Sequence, residues 1–586
     1  NPPSDVFGLP NLRIRGYVDL GNRAFLPNQK IPESFEVTDN LSFIRGNHSL
    51  TTGFTYRYQK AYFNIGDQAR GNFDFRGVFT QDPQKRGKTG NEFADYLLGL
   101  PNNSQISNKF DGHQRNKYWG FYFQDDWKVT PKLTLNLGVR YELFYPEHEI
   151  DNKLLNFIIG PNKVIVPNDV IPEGIPADLV MPIPDGVDPR NLRRLDKDNW
   201  SPRIGFAYRL ADRTVLRAGG GIFYGEGIYT FLGSSGRILG NPPSRIRNSF
   251  PSDKLFPEIT LQDGFADDVL VFRGVTPSTL FRAHSMDMPS PYASHWSLNV
   301  QHELPWFLVD AGYTGSKGTN FDVSYNFNSP LPGPGKVAKR RPIQGFGTIS
   351  SYQGMVSTNY HALLLKAERR FADGLAFLAA YTYGKAIDDG GEQFSDRDFR
   401  NVRDIKGDRG RSNFDLRQRF TSFLIWDLPW GTNRRWDLGS SWLNNVVGNW
   451  QFNLINTLRT GQPFTPQMAF STANTGDARP NRICDGNLSG DQRSIDGWFD
   501  KGCFPTDPEF GGADATLFEF GNSGRTILDG PGAVNFDFSF FKRVPVSALG
   551  EQGEVQFRVE LFNAFNTPQF ARPDRRVDRG RGATIR

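Results

Sequence analysis

From Tyr118 to Pro146 the chain reads YWGFYFQDDWKVTPKLTLNLGVRYELFYP, and the character of its residues alternates with period two. Trp119, Phe121, Phe123, Leu133, Leu135, Leu137, Val139, Tyr141 and Leu143 share one parity. Tyr118, Gly120, Tyr122, Gln124, Asp126, Thr134, Asn136, Gly138, Arg140 and Glu142 share the other. Successive side chains on a strand point to opposite faces, so this stretch encodes a hairpin with one greasy and one polar face. In water, an open sheet with such a face and long bare edges aggregates. In lipid, a sheet must close so that every backbone N–H and C=O is paired. Strands of about 9–11 residues suit a tilted membrane crossing. The pattern predicts an all-β chain, a large antiparallel transmembrane β-barrel; a soluble sandwich or propeller is the rival.

Composition sharpens the choice. The 586 residues include 50 Phe, and aromatics reach 14%, which is not the composition of a disordered chain. Apolar residues nevertheless make up only 38%, and the mean hydropathy is −0.50. A barrel with a wet interior reconciles the two. No run approaches 18 consecutive apolar residues, so no transmembrane helix is predicted. The 68 basic and 63 acidic residues are well mixed, and the absence of a long basic run speaks against a nucleic-acid partner.

Period-two segments recur along the whole chain. Candidate hairpins pair 41–45 with 49–59, 118–127 with 133–144, and 203–210 with 214–224. Others pair 293–304 with 308–315, 361–370 with 375–384, and 533–543 with 553–564. A less secure pairing joins 418–428 to 447–459 across a longer connector. Between hairpins run long Gly/Pro/Asp-rich segments, approximately 60–117, 145–202, 225–292, 316–360, 385–417 and 460–532. Strict alternation of short turns with long loops is the asymmetry of outer-membrane barrels, with long loops outside and short turns in the periplasm.

NKYWGFYFQDDWKVTPKLTLNLGVRYELFYP closely resembles a barrel hairpin of TonB-dependent outer-membrane receptors. DKDNWSPRIGFAYRL (196–210) resembles a strand start of their Oar-like branch. So do SNFDLRQRFTSFLIWDLPWG (412–431), GRTILDGPGAVNFDFSFFKR (524–543) and VQFRVELFNAFNTPQFARPD (555–574). These segments keep the family's order from about residue 10 to 574. The resemblance implies a multi-pass barrel of about 22 strands with a plugged lumen, taking up bulky or scarce ligands with energy relayed by TonB. About fourteen strands are evident here. The plug, the energy-coupling box and a carboxypeptidase-regulatory-like domain are expected upstream, and a last strand ending in an aromatic residue downstream. Residues 1–586 are therefore expected to be one barrel domain, incomplete at both ends. Partners so implied are outer-membrane lipid, the TonB complex through an upstream segment, an unidentified ligand, and a surface lipoprotein or other envelope protein.

No enzyme signature emerges. HELPW (302–306) fails the HExxH pattern, and His48, His113, His148, His284, His295, His302 and His361 are scattered, reading as turn or rim residues. GNSGR (521–525) lacks the His and Asp context of a serine nucleophile, and GGGIFYGEG (219–227) follows a strand without opening a helix. Cys484 and Cys503 bracket one polar segment and predict a disulfide in an oxidising compartment, with two unrelated thiols as the alternative. No cofactor is expected. The one exception considered is calcium in the Asp-rich loop 388–415, where Asp388, Asp389, Asp396, Asp398, Asp404 and Asp408 lack EF-hand spacing. Arg397, Arg400, Arg403, Arg409 and Arg411 interleave with them, so a mutually neutralising solvated loop is the competing reading. The Pro-rich stretch 161–190 is expected to be a stiff external loop. Trp119, Trp127 and Tyr141 are candidates for the headgroup girdles. Parity places Arg140, Glu142, Glu303, Lys366, Glu368, Arg370, Arg558 and Glu560 toward the lumen. Two functions follow: TonB-dependent uptake, or a structural or adhesive surface barrel that binds partners through its loops.

Overall fold

The computed structural model describes residues 8–82, 89–226, 238–252, 256–272, 274–276, 279–390, 399–432, 434–437, 439–468, 471–475, 479–506, 516–546, 550, 553–578 and 582–585. Fourteen long strands dominate it: β1 (Asn28–Arg45), β2 (His48–Ile65), β3 (Phe110–Thr130), β4 (Leu133–Phe144), β5 (Trp200–Ala211), β6 (Thr214–Tyr224) and β7 (Tyr292–Glu303). The series continues with β8 (Leu308–Asn326), β9 (Ile349–Ala372), β10 (Leu375–Asp388), β11 (Gln418–Asp427), β12 (Trp450–Arg459), β13 (Ala533–Pro545) and β14 (Glu554–Leu561). Each pairs antiparallel with the next, forming one meander. The sheet is open among the described residues, with β1 and β14 at its edges. Every predicted hairpin forms, including the less secure 418–428 with 447–459, which pairs Arg419 with Arg459 through to Asp427 with Gln451.

Strand length departs from expectation. The strands run from 8 to 24 residues rather than about 9–11. At about 3.3 Å per residue β9 spans roughly 80 Å, far beyond a hydrocarbon core of about 30 Å. Pairing continues past the apolar band because the strand ends keep hydrogen-bonding into the connector layer, so connectors are shorter than the sequence implied. Turn chemistry explains the tight end: Asp373 and Gly374 both adopt positive φ (51° and 78°), as a two-residue hairpin turn requires.

Register aligns the apolar parity across strands. Phe54, Phe121, Tyr141 and Trp200 form one row. Phe206, Ala218, Leu298, Tyr313, Leu363 and Tyr383 form a second. Trp426, Phe452, Phe540 and Val559 form a third. Phe121, Phe123, Leu298, Leu363, Tyr383 and Val559 are exposed on this face, which no core among the described residues covers. No described helix is long and apolar enough to cross a membrane.

The protein core lies in the long connectors, all at one end of the meander. None of the eleven largest fully buried side chains, Phe75, Phe157, Phe281, Phe399, Phe464 and Phe504 among them, belongs to the fourteen strands. One cluster joins Phe63 and Phe110 at strand ends to Leu154, Ile158, Ile165, Val187, Leu192, Ile238 and Leu239. Another packs Leu155, Phe157, Val164, Val166 and Ile175 on Phe281, Ala283 and Ile349. The segment 161–190 is thus more than a stiff loop. Its Val164, Ile165 and Val166 are fully buried, each contributing about 1.5–3 kcal/mol by burial. A small sheet of residues 11–14, 72–75, 103–107 and 247–251 completes the layer.

Candidate functional site

The connectors are irregular backbone, so their polar groups need partners that a ladder does not supply. Three fully buried asparagines meet that need. Asn156 donates to the His284 carbonyl (3.0 Å) and accepts from the His284 N–H (2.8 Å). Asn241 donates to the carbonyls of Leu155 (2.6 Å) and Arg282 (2.8 Å) and accepts from the Arg282 N–H (2.7 Å). Asn328 ties the carbonyls of Ile343 and Gly347 and the N–H of Ile343 in the same way. His284 itself is buried, so it is neither a turn nor a rim residue. Burial, then the Arg193 charge, pushes its imidazole down to about 3.

Ion pairs lock a second part of the layer. Asp408 accepts from Arg479 (2.6 Å), both buried, and from the Arg400 N–H (2.7 Å). Asp388 pairs with Arg525, whose Nε also donates to the Asp408 carbonyl (3.0 Å). Asp415 receives Arg411 (3.1 Å), which also reaches Asp529 (2.7 Å). Asp389 lies 3.9 Å from Arg409, and Asp404 accepts from the Gly407 N–H. The 388–415 loop is therefore neutralised and solvated only in part: Asp389, Asp408 and Asp415 are buried, while Arg403, Asp404 and Arg409 are exposed, and two of its clamps, Arg479 and Arg525, come from the distant 460–532 connector. Asp396, Arg397 and Asp398 lie outside the described residues. Among the described residues, metal-competent groupings occur at His113, Glu149 and Asp151 and at Cys484, Asp500 and Cys503, not in this loop. Glu149 already accepts backbone N–H groups of His113, Asp151 and Lys153. Cys484 and Cys503 form a disulfide, and Cys503 packs among Phe464, Phe499, Phe504, Leu528 and Val577.

Register sets the remaining residues on two faces. Trp119, Trp127 and Tyr141 share the apolar face. Trp119 packs on Tyr56 (ring centroids 4.4 Å), Tyr141 on Trp200 (4.6 Å), and Trp127 on His48 (5.1 Å) beside the tight turn. Seven of the eight charged residues fall on the opposite face; Arg370 lies in the bulge between Arg369 and Ala372, where the alternation shifts and parity does not place it. Arg140 donates to Glu142 (3.0 Å) and to the Tyr118 hydroxyl (2.6 Å), which donates to Glu142 (2.6 Å); Ser201 adds a further bond. Lys366 pairs with Glu368 at 2.5 Å. Arg558 donates to Gln556 and covers the Phe541 ring. Glu303, Arg370 and Glu560 are exposed.

A cavity of about 730 Å³ opens within the layer, between the 103–107/247–251 ladder and residues 258–282. Its lining includes Arg245, Arg247 and Arg282, with Glu258 and Asp268, and an apolar wall containing Ile246, Phe250 and Phe272. Arg247 donates to Gln105 (3.0 Å), and Arg282 to the Gly240 carbonyl. Arg245 pairs with Asp67 and stacks over Phe110 (5.6 Å). Burial first, then the neighbouring Arg282, pulls its guanidinium down to about 10. Guanidinium forks match carboxylate and phosphate groups, and the volume suits a small molecule. Sequence reasoning missed these arginines because their spacing has no motif; only the fold brings Gln105 to Arg247.

Residues 1–585 match a family model described as outer membrane beta barrel domain. A comparison with curated proteins gave no match. Solved structures similar to the chain include the outer membrane transporter YddB from Escherichia coli, at 10% identity and TM-score 0.47, covering 95% of this chain and 53% of that one. The ferric enterobactin receptor PfeA (a mutant) from Pseudomonas aeruginosa shows 11% identity, TM-score 0.43, and coverage of 97% and 52%. The FrpB iron transporter from Neisseria meningitidis shows 10%, 0.40, and coverage of 95% and 54%. The chain spans about half the length of these structures.

Proposed function

The chain belongs to the outer membrane beta barrel domain family and resides in the outer membrane, and from that premise we propose that it is the barrel part of an Oar-like TonB-dependent importer. The carrying observation is that the long connectors fold around their own apolar cores and leave a cavity lined by Arg245, Arg247 and Arg282. Ligand capture needs such a pre-organised site, because ordering mobile loops costs affinity. The ordered resemblance of several strand segments supports the TonB-dependent branch. In this reading the connectors face outward, the Arg-lined cavity receives a scarce ligand bearing anionic groups, and energy from TonB opens a route past a plug. The seven charged residues of the polar face line that lumen, Trp119, Trp127 and Tyr141 sit in the headgroup girdles, and no covalent chemistry is involved.

The test uses cells that express the protein. Ligand accumulation that stops with a protonophore, and falls in an Arg245→Ala/Arg282→Ala variant with unchanged surface expression, supports import. Surface binding without energised accumulation overturns it in favour of an adhesive or structural barrel.

A further inference from the structure

The connector between β11 and β12, at the short-turn end, is unlike the other turns there. Five of the eleven tryptophans, Trp426, Trp430, Trp436, Trp442 and Trp450, fall within or beside it. It contains a helix, Ser441–Val447, whose polarity is inside out. Asn444 is its one buried residue, while Trp442, Leu443 and Val446 are exposed at 70%, 40% and 50%. A helix on an aqueous surface shows the reverse arrangement.

Its polar groups are satisfied inward. Asn444 donates to Asp437 (2.6 Å), and its carbonyl accepts from the Gly448 N–H (2.8 Å). The Lys542 ammonium donates to the carbonyls of Asn445, Val446 and Gly448 at the helix end. Trp450 donates its indole N–H to the Val446 carbonyl (3.0 Å), and Trp430 packs on Trp436 at 5.5 Å.

The docking side fixes what faces the helix. Trp450 and Lys542 are register partners, and Lys542 pairs with Phe557. All three share the face of Trp426, Phe452, Phe540 and Val559, the apolar face of the sheet. The helix is therefore folded back onto the lipid side rather than toward the polar side. Its exposed apolar residues continue the exposed Trp426, Phe540 and Phe557. Arg435, whose guanidinium lies over the Trp436 ring (5.8 Å), adds a cation at the same margin.

We propose that the helix Ser441–Val447, with Trp430, Arg435 and Trp436 beside it, forms a membrane-interface anchor, with Trp442, Leu443 and Val446 embedded at the headgroup–acyl boundary of the phospholipid leaflet nearest the short turns. An inside-out helix continuous with a lipid-facing belt fits a phospholipid surface, where Trp is enriched and lateral burial of apolar residues is favourable. Arg435 then faces headgroup phosphates.

The chain's only two cysteines are bonded to each other, so an introduced cysteine is the sole free thiol. A nitroxide on Leu443→Cys, in the full chain reconstituted into phosphatidylethanolamine/phosphatidylglycerol vesicles, reports collisions with oxygen and with a water-soluble nickel chelate. Labels at Leu363→Cys and Asn47→Cys serve as belt and turn references. The expected result is a shift of the oxygen-to-nickel ratio from the Asn47 value toward the Leu363 value, repeated by a label on Val446→Cys should the first variant fold poorly. A ratio equal to that of Asn47 overturns the proposal. So does shielding from both reagents, which means a protein partner or a second copy covers the helix.

Discussion

The sheet and the connector layer bury their apolar residues by opposite rules. In the sheet, Phe121, Phe123, Leu363 and Val559 are exposed, and their further burial is left to the solvent around the chain. In the layer, Phe157, Phe281, Phe464 and Leu192 are sealed inside protein, and irregular backbone is tied by Asn156, Asn241 and Asn328. One region turns its apolar face outward to lipid, and its backbone groups are paired strand to strand between the open edges β1 and β14. The other is built like a water-soluble domain and can hold a defined cavity. The layer that holds the cavity thus buries its apolar residues within protein, while the sheet leaves its own to the bilayer.

That contrast can be broken in four ways. The largest effect is expected from Asp408→Ala, which removes the buried carboxylate that pairs with Arg479 and should open the layer by about 3–5 kcal/mol. Proteolysis of the 460–532 connector, with strand amide exchange unchanged, measures it. Next, Leu365→Arg should destabilise the reconstituted sheet by about 2–4 kcal/mol, as for a cation near the bilayer midplane. Leu364→Arg, on the opposite parity, should cost much less, and urea unfolding in vesicles reads the difference. Asn241→Ala removes three bonds and leaves buried backbone groups unpaired, for about 1–3 kcal/mol. It should loosen residues 238–284 while sparing β-sheet exchange. The smallest effect is pH-dependent. His284 is held neutral in the fold, its pKa depressed to about 3, whereas the unfolded side chain takes a proton below its ordinary value of 6.5. The layer's stability is therefore full above that value and falls as the pH drops below it, by about 1 kcal/mol at pH 5.5. The urea midpoint of layer opening at pH 7.5 and pH 5.5 should differ, and His284→Asn should flatten the difference.

The two regions were unequally legible in the sequence. Period-two alternation and turn residues such as Asp373–Gly374 report local geometry, so all seven hairpins and the parity of Trp119 and Arg140 could be read directly. Strand length was understated because pairing beyond the apolar band has no hydrophobic signature. The layer was hidden for a different reason. Arg479 meets Asp408 across 71 residues, Asn241 reaches Leu155 across 86, and Arg247 reaches Gln105 across 142. No local pattern encodes such contacts. The runs LLNFII and KVIV within 154–166 were the one readable hint that a long connector has a core. Cys484 and Cys503 were readable because a lone pair of cysteines in one segment has few alternatives.

Hydroxyl-radical footprinting of the protein in its native membrane, and again after transfer to detergent-free denaturant, tests the division most directly. Phe121, Phe123, Tyr313 and Tyr383 are exposed on the chain, yet in the membrane they should be as protected as the core residues Phe157 and Phe464. Labelling of those four in the membrane at the level of the exposed connector residue Tyr145 would contradict the account, because the apolar face would then be meeting water.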